Sequence, residues 1–177
     1  MSTLFYINSH NRCVDIFYKK AHFDKFLNIL ETAKRKFSCY IHLFTIMPTH
    51  YHLILEADDK YVSEILKYLH RTYSKQIRNE DKSLFPGSIF QQTDIVKVEK
   101  NYNAVELSFY IHAVPYLSGI VRSDKIYEWS TLGEYIGFKK RRRWITRRAI
   151  INQSSRRYIF AHRDYRYKFN PVGYNSP

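Results

Sequence analysis

A chain of 177 residues, 45% apolar and 25% charged, has the size and balance of one globular domain with its own core. Two cysteines, Cys13 and Cys39, with no Cys-x-x-Cys pair, exclude a disulfide scaffold and a zinc knuckle, and no apolar run approaches the ~18 residues of a membrane span. A net charge of +13 points to polyanionic partners, and 16 Tyr with 12 Phe supply rings on which unpaired bases stack.

The opening residues do not read as a signal peptide, so both thiols are expected to be reduced, in a cytoplasmic protein that is nucleoid-associated if its host is bacterial. Residues 4–9 and 13–18 predict two strands joined by the turn-forming His10-Asn11-Arg12. Over residues 22–37, Phe23, Phe26, Leu27, Leu30, Ala33 and Phe37 recur at helical spacing. Strands are expected over 39–47 and 50–56, around Pro48-Thr49. Asp58-Asp59 then offers an N-cap for a helix carrying Val62, Ile65, Leu66, Leu69, Tyr73 and Ile77 on one face, with Arg71, Lys75 and Arg78 on the exposed side. Past Pro86-Gly87 a strand is predicted over 89–98. Asn103 with Glu106 three places on resembles a capping arrangement for a helix buried through Ala104, Leu107 and Ile111, which Pro115 should end or kink.

From residue 139 the composition shifts. Lys139, Lys140, Arg141, Arg142 and Arg143 form one basic run, and Arg147 and Arg148 follow beside a short helix expected from residue 145 to 152. A charge run is usually a solvated face; in a chain already this basic, a phosphate-contacting tail is about as good a reading. The organisation expected is a domain over 1–138 and a basic, aromatic-rich C-terminal tail over 139–177.

One stretch carries chemistry. In His50-Tyr51-His52 an extended strand puts both imidazoles on one face, roughly 6–7 Å apart, where both can lean onto one divalent ion. Tyr51, Leu53 and Leu55 take the opposite, apolar face. Spacing alone would equally suit two polar positions on a half-buried strand. The element order as a whole predicts an α+β, ferredoxin-like sandwich, one antiparallel sheet with helices on one face, plus the basic C-terminal extension. Tyr110 could join the histidines only if its helix lies beside their strand.

Several blocks together resemble the single-tyrosine transposases of the HUH nuclease superfamily, the branch with the REP-associated tyrosine transposases. Met47-Pro-Thr-His-Tyr-His-Leu-Ile54 is similar to that family's Met-Pro-Asn-His-hydrophobic-His-Leu block. Tyr110-Ile-His-Ala-Val-Pro-Tyr-Leu-Ser-Gly-Ile-Val121 is similar to its Tyr-Ile-x-Leu-Asn-Pro-Val-x-Ala-Gly-Leu-Val block, and Tyr127-Glu-Trp-Ser-Thr to the Tyr-Pro-Trp-Ser-Ser that follows. Phe90-Gln-Gln corresponds to a Phe-Gln-Gly turn.

The resemblance spans roughly residues 1–138. It implies a metal-dependent nuclease and strand transferase that cuts and rejoins single-stranded DNA near hairpins through a 5′-phosphotyrosine. Tyr110 would be the nucleophile, and His50 and His52 would bind Mg²⁺ or Mn²⁺. Two positions depart from the pattern. Val114 stands where relatives carry a metal-holding amide, and Thr93 where they carry an arginine. Glu106, one turn before Tyr110, is a candidate substitute ligand, with an exposed helical glutamate as the plainer reading. The rival reading is a domesticated, catalytically impaired hairpin-binding protein on the same scaffold. Single-stranded or hairpin DNA is the expected partner, with no membrane; a homodimer is left open.

Overall fold

The computed structural model describes residues 2–11, 15–80, 89–98, 102–122 and 125–151, together with Tyr158 and Ala161. Cys13, Pro86-Gly87, Arg156-Arg157 and the last basic stretch lie outside the described residues. Four strands, β1 (Ser2–His10), β2 (Tyr40–Ile46), β3 (His50–Asp58) and β4 (Gln92–Val98), form one sheet in the order β2-β3-β1-β4. Every neighbouring pair is antiparallel. Interleaved with them are α1 (Lys20–Lys36), α2 (Asp59–Glu80), α3 (Tyr102–Leu117) and the short α4 (Leu132–Tyr135). The α+β, ferredoxin-like class read from the sequence stands.

Alternation along the strands divides the apolar residues between two cores. Phe5 and Ile7 of β1 and Tyr51, Leu53 and Leu55 of β3 pack with the apolar stripes of α1 and α2. Leu4 and Ile54 point the other way, to Ala104, Phe109 and Ile111 of α3. The expectation of helices on one face therefore holds for α1 and α2, whereas α3 covers the opposite face, the one that carries His50 and His52. The apolar residues of α3 are covered by the sheet below and by Ile150 and Tyr158 beyond, and Glu106 and Tyr110 stay exposed.

Three local expectations change. No strand forms at residues 15–18; Ile16 and Phe17 are buried, and both their amides donate to the Pro48 carbonyl, at 2.6 and 2.8 Å, pinning a loop to the β2–β3 turn instead. Pro115 does not end α3, which continues to Leu117 before Gly119 turns the chain at φ 70°. Proline lacks an N–H, but so near the helix end it removes only one ladder bond, and its carbonyl still accepts from Ile120 and Val121. Residues 145–151 form turns rather than a helix. Asp58, in contrast, acts as expected: its carboxylate accepts from the Lys60 amide at the start of α2.

The basic segment is folded onto the body where it is described. The Thr146 amide donates to the Ile41 carbonyl on the outer edge of β2, Ile145 and Ile150 are buried, and the Tyr158 hydroxyl is bonded to Ser108 and His112 of α3. Ser130 and Trp129 cover the rest of that edge through Thr45 and Ile46. Edge strand β4 has no such cover among the described residues, and its Ile95 and Val96 are exposed.

Candidate active site

Antiparallel register assembles the site. On β3, His50 and His52 share a face; across the β1 ladder His10 stands opposite His50 and Asn8 opposite His52. The two imidazoles of β3 lie edge to face, ring centroids 4.9 Å apart and 85° between planes. From the facing helix Tyr110 meets His52 edge-on at 6.2 Å. Asn8, His10, Asn11, Thr49, Val114 and Ser118 complete an open cleft of about 440 Å³ around these three side chains. Tyr110 remains 41% exposed, so its hydroxyl is within reach of a large substrate.

Each imidazole has one nitrogen engaged. His50 Nδ1 lies 2.9 Å from Thr49 Oγ1, and His52 Nδ1 lies 2.9 Å from the Tyr6 hydroxyl. The Tyr6 ring also stacks on His52, nearly parallel at 9°. In the tautomer whose Nδ1–H donates to these oxygens, each Nε2 keeps its lone pair for a metal. Burial, then the neighbouring histidines, pushes His52 down to about 3, and burial with His10 lowers His50 as well. Both rings are therefore neutral at neutral pH, the state in which imidazole ligates a metal. Burial raises the Tyr6 phenol, which stays protonated.

These residues fit a divalent ion. Two neutral imidazoles present free Nε2 atoms beside one cleft, and the Asn8 Oδ1 is buried there with no hydrogen-bond partner among the described residues. Val114, packed with Met47 and Tyr127, supplies no donor. Glu106 is not brought to the histidines: it is exposed and does not line the cleft, and no three His, Cys, Asp or Glu converge among the described residues. One turn before Tyr110 it shares that residue's side of the helix but lies a turn further along the axis, off the cleft.

The basic candidates are dispersed. Arg71, Lys75 and Arg78 are exposed on α2, which covers the face of the sheet opposite Tyr110. Lys140, Arg141 and Arg143 are exposed, and Lys139 is half-buried against Gly133. Arg142 is paired with buried Glu134, Arg147 donates to the Glu134 carbonyl at 3.2 Å, and Arg148 lies over the Tyr40 ring, 3.8 Å from buried Glu56. Those three guanidinium groups are engaged in holding the segment down.

Tyr6, Asn8 and Thr49 were not among the residues read from the sequence as functional. Tyr6, Asn8 and His10 alternate along one strand, a polar face that marks a position but does not say what stands opposite. Only the β1–β3 register does.

A strand-borne histidine pair facing a helix-borne tyrosine, on one antiparallel sheet, agrees with the resemblance to the HUH superfamily read from the motif blocks. Within it, the chain belongs to the family described as "Transposase IS200 like", which matches residues 7–113. Its fold is that of a REP-associated tyrosine transposase solved bound to a REP hairpin: TM-score 0.61 at 18% identity, over 77% of this chain and 79% of that one. A putative transposase from Deinococcus radiodurans R1 aligns at TM-score 0.47 and 14% identity, over 63% of this chain and 89% of that one. Comparison with curated proteins gave no match. No helix among the described residues is long and apolar enough to cross a membrane.

Proposed function

We propose that this protein is a metal-dependent nuclease and strand transferase acting on single-stranded DNA near hairpins. The observation that carries the reading is Tyr110 held edge-on to His52 in a cleft that His50 also lines. His50 and His52 would hold Mg²⁺ or Mn²⁺ through Nε2, with Thr49 and Tyr6 fixing the tautomers. When bound, the ion polarises the scissile phosphate and offsets the charge that develops on it.

Tyr110 supplies the nucleophile. Its oxygen attacks phosphorus as the bond to the 3′ oxygen breaks; the phenol loses its proton and the departing 3′ oxygen gains one. The product is a 5′-phosphotyrosine and a free 3′-OH. Attack by another 3′-OH reverses the step and regenerates tyrosine, so joining needs no external energy. The hairpin as partner is supported by the fold-level relative solved with one, and by the positive charge of the chain. The DNA-contacting role of residues 139–177 belongs to the same proposal and concerns the exposed Lys140, Arg141 and Arg143.

The test is a covalent adduct. Wild type with Mn²⁺ and a hairpin-bearing single strand should yield a protein–DNA species that survives denaturation. Tyr110→Phe keeps the ring and removes the attacking oxygen, so it should lose the adduct and retain DNA affinity. Full hairpin affinity with no adduct from wild type would favour the catalytically impaired hairpin binder.

A further inference from the structure

We infer that the Asn8 side-chain oxygen is the third protein ligand of the divalent ion, completing a site that draws on two adjacent strands. The inference rests on the reading that His50 and His52 hold such an ion. Asn8 is the direct cross-strand partner of His52, which places their Cβ atoms about 4.5–5.5 Å apart on one face. It lines the same cleft as both imidazoles and Tyr110. Its Oδ1 is shut off from solvent and has no hydrogen-bond partner among the described residues, the costly condition that a buried carbonyl oxygen rarely keeps. A carboxamide oxygen is a hard, neutral donor of the kind Mg²⁺ and Mn²⁺ accept.

The competing donors fit less well. His10 stands opposite His50 and lines the cleft, but it does not group with His50 and His52 as a three-residue metal cluster among the described residues. Thr45 flanks His52 from β2 and also leaves its hydroxyl oxygen unpartnered, but it does not line the cleft. Val114 has no donor to give. An amide is thus supplied from the sheet, on the opposite wall of the cleft from the helix that carries Tyr110.

Mn²⁺ binding to the metal-free protein, followed by calorimetry and by the electron paramagnetic resonance of the free ion, tests this without any cleavage assay. Asn8→Leu should weaken binding by about tenfold or more, since even partners behind a ligand are worth that much. Asn8→Asp should bind Mn²⁺ more tightly than wild type, because a carboxylate replaces the neutral oxygen. Thr45→Val and His10→Ala should leave affinity within about twofold. Metal-free Asn8→Leu should melt no lower than wild type, as it removes an unpartnered buried oxygen. If Asn8→Leu does not fold, Asn8→Asp decides: affinity equal to or below wild type overturns the assignment. Wild-type affinity in Asn8→Leu, with loss in His10→Ala, would move the third ligand to His10. No Mn²⁺ binding by wild type would overturn the metal reading itself, and this inference with it.

Discussion

The Tyr6 hydroxyl and His52 Nδ1 are 2.9 Å apart, from residues on neighbouring strands whose rings stack almost in parallel. Ligation of an ion by His52 Nε2 requires the tautomer in which Nδ1–H donates to this hydroxyl, so under the proposed function Tyr6 would hold the ring in its metal-binding form. Tyr6→Phe keeps the stack and removes the acceptor. Mn²⁺ affinity measured by calorimetry should fall about 10–100-fold, with the stoichiometry unchanged. Thr49→Val should do the same at His50.

Removing residues 139–177 should unfold the protein or lower its melting temperature severely. Ile145, Ile150 and Tyr158 are buried, and each such side chain contributes about 1.5–3 kcal/mol on burial. Circular dichroism melts of the truncated chain would check this. A melting temperature within a few degrees of the full chain's would mean that the segment packs without stabilising.

Phosphate contact by the basic segment is better read by point changes. Lys140→Gln, Arg141→Gln and Arg143→Gln together should lower the salt dependence of single-strand binding by roughly 2 in log–log slope if all three meet phosphate. Arg142→Gln should act on stability instead, since it removes the ion-pair partner of the buried Glu134 carboxylate and leaves it the Arg142 amide. Fluorescence anisotropy over a salt series separates the two.

His70 gives a pH dependence of known sign. Its Nε2 lies 2.8 Å from the buried Tyr51 hydroxyl and its ring stacks on Phe90 at 4.2 Å. Burial lowers it from 6.5 to about 4, so in this range the unfolded chain binds the proton that the fold excludes. Its contribution is therefore fully present above pH 6.5 and lost as pH falls toward 4, at about 1.4 kcal/mol per unit. Buried His52 has the same sign. Urea unfolding of metal-free protein should show His70→Gln with a shallower slope between pH 6.5 and 4. An unchanged slope would mean that His70 already titrates normally in the fold.

Periodicity made most of the elements legible. The stripes of α1 and α2, the alternation in β3 and the carboxylate at Asp58 all depend on nearest neighbours in the chain, and each appears where its spacing put it. Residues 13–18 read as a strand because Ile16 and Phe17 are the right types, but a strand also needs a ladder, and their amides go to Pro48. The side of the sheet taken by α3 was equally hidden: the stripe of Ala104, Leu107 and Ile111 marks the buried face of the helix but not which face of the sheet receives it.

For the site, the histidine pair and Tyr110 were legible as motif blocks. Tyr6 and Asn8 were not, because their meaning lies in a register between strands more than 40 residues apart. The engagement of Arg142, Arg147 and Arg148 was hidden for a similar reason. Charge runs look alike whether or not buried Glu134 and Glu56 stand beneath them.

The two halves of the cleft are built differently. His50 and His52 ride on a strand bonded to neighbours on both sides, so their spacing changes only if two ladders break. Tyr110 rides on a helix joined to the sheet by packing and by the His112–Thr131–Phe44 side-chain bridge. One half is a fixed anvil and the other a hammer on its own shaft. Under the proposed function, substitutions that tilt α3 would change how the hammer falls while the anvil keeps its shape, so cutting would fail before metal binding does.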